Sequence, residues 1–103
     1  MKEYTARRNR DRRPAHPGEL LKHTVLPALG RPKTEIARLL GLSRQSLYDI
    51  LAGRQPVTPG TAVRLGKLCG NGPVLWMNMQ AAHDLWEAER TIDLSGIPTL
   101  TPA

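Results

Sequence analysis

Apolar residues along the chain fall into clusters with helical spacing, separated by glycine and proline. In GELLKHTVLPAL, Leu20, Leu21, Val25 and Ala28 or Leu29 recur on one face, and Pro27 is expected to break or kink the helix near its end. Gly30-Arg31-Pro32 reads as a turn. In KTEIARLL, Ile36, Ala37 and Leu40 form an apolar stripe. Thr34 is placed to cap this helix, Glu35 suits its first turn, and Gly41 stops it in a left-handed conformation. Ser43 is the next N-cap, opening RQSLYDILA with Leu47, Ile50 and Leu51 on the inner face. Gly53 ends this helix and RQPVTPG is a loop. Thr58 and Pro59 read as a cap and a first-turn proline before Ala62, Leu65, Leu68 and Cys69. After GNGP, a last helix runs from Pro73 or Val74 to Arg90, with Trp76, Met77, Met79, Leu85 and Trp86 as its apolar surface. TIDLSGIPTLTPA has proline and glycine and reads as extended or disordered. The pattern predicts an all-α, five-helix domain with two tails and no internal repeat.

The second and third helices lie close in sequence, with Gly41 in the joint. This is a helix-turn-helix pattern. Ala37 is small where the helices cross, and Leu42 plugs the joint. With Leu47 and Ile50 turned inward, Ser43, Arg44, Gln45 and Tyr48 project outward from the start of the third helix. Arginine pairs with guanine and glutamine with adenine in the major groove, and the N-terminal end of such a helix is the part that enters it. Thr34, Ser43 and the helix N-termini suit phosphate oxygens. Arg54 and Gln55, in the next loop, add candidate backbone contacts. Helix–glycine–helix joints also occur in bundles that never meet DNA, where Arg44 and Gln45 are plain surface residues.

Charge shifts this balance. The formal net charge is +6 and the pI about 10.3, which suits a polyanionic partner. Lys2, Arg7, Arg8, Arg10, Arg12 and Arg13 crowd the first sixteen residues against only Glu3 and Asp11. That start reads either as a solvated, disordered arm or as a basic arm reaching nucleic acid or a partner. The 103 residues suffice for one modest core, and with Phe absent it must be mainly Leu, Ile, Val, Ala and Met.

Other chemistry finds little support. The single cysteine, Cys69, excludes an internal disulfide, suits a reducing compartment and sits where a buried small hydrophobe belongs. No apolar run is long enough for a bilayer and no signal-peptide core follows the basic start, so a cytoplasmic protein is expected. His16, His23 and His83 lack metal-site spacing. His83, Asp84 and Glu87 read as a solvated helix face. No general base stands near Cys69 in sequence and no glycine loop cradles phosphate. The expectation is a non-enzyme without metal or cofactor.

Two blocks carry a resemblance. His16–Leu21, HPGELL, together with Thr34–Glu89, resembles the HigA-type antitoxins, a branch of the Xre or phage-repressor-like helix-turn-helix family. The more specific block is P-x-x-W-x-N-x-Q-A-x-x-D-L-W, at Pro73, Trp76, Asn78, Gln80, Ala81, Asp84, Leu85 and Trp86. Thr91–Ile97 also looks like the family's tail, so the likeness spans about residues 16–97. The resemblance implies a lambda-repressor-like fold and a homodimer bound to the double-stranded operator DNA of its own operon. It also implies neutralisation of a HigB/RelE-like toxin that cleaves mRNA. It assigns DNA reading to Ser43, Arg44, Gln45 and Tyr48. Dimer contacts fall to the last helix at Trp76, Met79 and Leu85, although paired tryptophans at helical spacing also suit a core. The implied layout is a basic arm over 1–15, a helix-turn-helix domain with its dimerisation helix over 16–90, and an extended tail over 91–103. The long arginine-rich start departs from many relatives. A stand-alone repressor without a toxin is the alternative.

Overall fold

The computed structural model describes residues 12–102. Helix α1 is one continuous run over 17–29, opened by His16, whose Nδ1 accepts the Gly18 N–H at 2.9 Å. It passes from an α-helical turn, Pro17–Leu20, through a π-helical segment, Leu21–Val25, into a second α-helical turn, Leu26–Leu29. Proline lacks the N–H for the ladder, and its ring crowds the carbonyl four residues back. The helix meets Pro27 by widening just before it, and ends only at Gly30.

The remaining helices are α2 (Lys33–Leu40), α3 (Arg44–Leu51), α4 (Pro59–Cys69) and α5 (Val74–Thr91). Among the described residues there is no strand. Thr58 caps α4 by accepting the Thr61 N–H. Thr34 does not cap α2. The N-cap is Pro32, which has no side-chain bond to offer, and Thr34 lies exposed inside the first turn. The helix begins earlier than a Thr34 cap requires, because Pro32 holds the extended conformation that precedes a helix and Lys33 already belongs to it.

Every helix contributes to one core. It contains Leu21 and Leu26 of α1, Ile36, Ala37 and Leu40 of α2, Leu47, Ile50 and Leu51 of α3, Ala62 and Leu65 of α4, Trp76 of α5, and Val57 from the loop before α4. Each such large side chain contributes about 1.5–3 kcal/mol on burial. An exposed ion pair such as Arg31–Glu35 adds at most about 1 kcal/mol. Apolar burial therefore decides how the helices dock: α1 on α3 and α5, α2 on α3 and α4, α4 on α5. Gly18 allows the closest of these approaches, since a Cβ there would collide with the Ile50 carbonyl.

Several expectations change. Cys69 is half-buried, not fully covered. His83 does not belong to a solvated face. It is buried, its Nδ1 lies 3.0 Å from the Pro14 carbonyl oxygen, and its ring stands edge-on to His16 at 5.1 Å. That contact and the Arg13–Glu87 pair at 3.5 Å hold residues 12–15 against α5, so the expected free arm does not extend to residue 15. Residues 1–11 of that arm lie outside the described residues. Beyond α5 the chain is extended, with a turn in which the Ile97 N–H donates to Leu94, and Ile92, Leu94, Ile97 and Leu100 are all exposed.

Candidate nucleic-acid interface

The joint between α2 and α3 is built from backbone bonds. Gly41, at φ 71°, lets its own N–H reach Arg38 and the Leu42 N–H reach Ala37, satisfying carbonyls at the end of α2. Arg64 of α4 donates to the Leu40 carbonyl at 3.4 Å. Leu42 tucks half-buried against the core. Ser43 then starts α3, its Oγ accepting the Ser46 N–H at 3.0 Å. Its hydroxyl proton remains available to a phosphate.

From that cap, α3 has two unlike sides. Leu47 and Ile50 have no exposed surface. Arg44, Gln45 and Tyr48 are exposed in the first turns, Gln45 on the side opposite Leu47 and Ile50 and Arg44 at the free N-terminal end of the helix. Arg44 makes no hydrogen bond or ion pair with another described residue. Gln45 is tied: its Nε2 donates to Asp49 Oδ1 at 2.9 Å. The same oxygen accepts from Arg54 Nη2 at 2.9 Å and Nε at 3.2 Å. Gly53, at φ 76°, turns the chain so that the Arg54 and Gln55 N–H groups both reach the Asp49 carbonyl. Arg54 is thereby brought beside Gln45, while Gln55 is half-buried and meets Asp49 through its backbone. Thr34, exposed in the first turn of α2, remains suited to a phosphate.

This arrangement presents two arginines, an amide, a phenol and a hydroxyl on one short helix and the loop after it, a surface able to meet both base edges and phosphates. A family described as "Helix-turn-helix domain" matches residues 5–75. The chain belongs to that family, in its branch of HigA-type antitoxins. It is similar to antitoxin HigA-1 of Vibrio cholerae, with 34% identity over 78% of this chain and 75% of the relative. It is also similar to the HTH-type transcriptional regulator YddM of Escherichia coli K12, with 32% identity over 82% of this chain and 88% of the relative. The solved structure of antitoxin GraA in complex with its operator superposes with a TM-score of 0.78 at 32% identity, covering 89% of this chain and 95% of that one.

The family's second block has a structural meaning that spacing alone did not show. Trp76 was expected among the dimer contacts, but its surface is fully buried in the core and its Nε1 donates to Asn71 at 3.1 Å. No part of it is left for a partner. Gln80 is buried too. Its Oε1 accepts the Val57 N–H at 2.8 Å and its Nε2 donates to Asp84 at 2.9 Å, which pins the loop carrying Val57 onto α5. Its side of α5 carries Trp76, Gln80 and His83, two polar residues in three, so no apolar stripe in the sequence marked it as buried. Of the other two expected dimer residues, Met79 is half-buried in a cleft beside Arg12, Arg13 and Glu19, and Leu85 is 61% exposed. Val74 and Leu75, at the start of α5, are exposed as well.

Two titratable groups are displaced by burial. Loss of solvent, then the neighbouring His83 ring, lowers the His16 pKa, which keeps Nδ1 free to accept the Gly18 N–H. Burial pushes the Cys69 thiol up, away from the reactive thiolate. Among the described residues, no group of three or more His, Cys, Asp or Glu is gathered to hold a metal, and no helix is long and apolar enough to cross a membrane.

Proposed function

We propose that the chain is a DNA-binding antitoxin that represses its own operon in the cytoplasm, with α3 in the major groove of double-stranded operator DNA. Arg44, Gln45 and Tyr48 read base edges, and Thr34, Ser43 and Arg54 engage phosphates. The observation that carries this reading is the exposure of Arg44 and Gln45 on the first turn of a helix whose other side is locked in the core. The likeness to an antitoxin solved on its operator supports it. The chain acts as a homodimer, joined through the exposed apolar surface of α5 at Leu85 with Met79 nearby, which sets two recognition helices about 34 Å apart on an inverted repeat. Its second partner is a HigB/RelE-like mRNA-cleaving toxin. The chain itself carries out no catalysis and needs no cofactor.

Binding to promoter DNA from its own operon, followed by fluorescence anisotropy across a salt series, tests the DNA arm. Sequence-selective affinity that falls with salt is expected; affinity indifferent to both sequence and salt would exclude groove reading. Co-expression with the neighbouring gene and pull-down tests the toxin arm. The likeness to YddM favours one alternative, a stand-alone repressor, which predicts operator binding with no co-purifying toxin.

A further inference from the structure

An acidic side chain in the middle of a surface meant for phosphates needs a reason. Asp49 lies on α3 one turn beyond Gln45, with its side chain 25% exposed. Its negative charge opposes attraction to DNA. Its pair with the exposed Arg54 is of the kind worth at most about 1 kcal/mol to stability. Neither affinity nor folding explains it well. Its side-chain bonds do: Oδ1 accepts from Gln45 Nε2, Arg54 Nη2 and Arg54 Nε at once.

We propose that Asp49 is a specificity-determining positioning residue, which orients the Gln45 amide for one base edge and confines Arg54 to a supporting contact. The proposal rests on the groove-reading role of α3 argued above. A free glutamine amide presents its oxygen and nitrogen in either order. Asp49 takes one Nε2 hydrogen and so directs the nitrogen toward the C-terminal side of α3. One N–H donor and the Oε1 acceptor remain, in a single polarity. That pair matches adenine, which offers an acceptor at N7 and a donor at N6. On Arg54, Nε and one Nη2 hydrogen are committed to the carboxylate. One of its two-pronged edges is therefore closed, and the remaining donors suit a phosphate. The ordering entropy of both long side chains is met within the free protein, before DNA arrives.

The test selects preferred sites from a randomised DNA library with wild type, Gln45→Ala, Asp49→Ala and Asp49→Asn, each checked by thermal unfolding. Gln45→Ala locates the base pair beneath Gln45. Asp49→Ala is expected to reduce the preference at that same base pair about tenfold, the scale of one good two-pronged contact, while affinity for non-specific DNA stays level or rises as a negative charge is removed. Asp49→Asn keeps an acceptor for Gln45 and should retain most of the preference. An Asp49→Ala protein with unaltered preference at that base pair overturns the proposal but leaves the DNA reading intact. So does an equal loss on all sequences. A folded wild type without any sequence preference overturns both.

Discussion

The backbone of Gly18 lies against the carbonyl of Ile50 with no room for a methyl group between them. Ile50 is a core residue of the helix that presents Arg44 and Gln45, so this contact fixes the height of α3 over α1. Gly18→Ala must separate two backbones, not shift a flexible side chain. Overpacking of this kind costs about 1–3 kcal/mol, and each kcal/mol lowers Tm by about 4–8 °C in a domain this size. Calorimetry checks the loss. An unchanged Tm would mean that α1 is not seated on α3 as described.

Arg44 should behave in the opposite way. With no partner among the described residues, its replacement by alanine leaves stability within about 0.5 kcal/mol. Discrimination at one operator base pair should fall by about 1–3 kcal/mol. Titrations against operators mutated one base pair at a time read this directly. A uniform loss over every sequence, with a shallower salt slope, would assign Arg44 to a phosphate instead.

Gln80 supplies the acceptor for the buried Val57 N–H. Gln80→Leu keeps the bulk and strands that donor, at a cost of about 1–3 kcal/mol. Denaturant unfolding measures it, and amide exchange at Val57 should quicken more than exchange in α3. A loss below about 0.5 kcal/mol, the range of neutral surface changes, would show that the loop finds another acceptor.

His16 couples folding to pH. Burial first, then His83 and to a lesser degree Arg13, lower its pKa below the ordinary 6.5, while Asp84 and Glu19 pull the other way. The unfolded chain therefore takes up this proton at a higher pH than the folded one does. The contribution of His16 is fully present above 6.5 and is lost as pH falls from there through the folded pKa. Protonated Nδ1 can no longer accept the Gly18 N–H, so the start of α1 is what weakens. His16→Asn keeps a good cap without titrating. Its Tm should vary less than wild type between about pH 7 and 5.5, the span in which an ordinary histidine titrates. Parallel curves for the two proteins would remove His16 from the account.

Local patterns made much of the domain readable. The stops at Gly30, Gly41 and Gly53 and the caps at Ser43 and Thr58 depend on neighbours only a few residues away, and a period of 3.6 sorts Leu47 and Ile50 from Gln45 whatever lies above them. The readable part of the candidate interface is thus the outward set on α3. Tertiary packing decided the rest. Trp76 belongs to the core because α5 crosses the other helices there, a fact its spacing leaves open. His83 is buried because residues 12–15 fold back over it, and Gln80 because a loop 23 residues away needs an acceptor. Helical periodicity tells which residues share a side of a helix. Which side is covered, and by what, depends on contacts between segments distant in the chain, and only the folded structure brings those together.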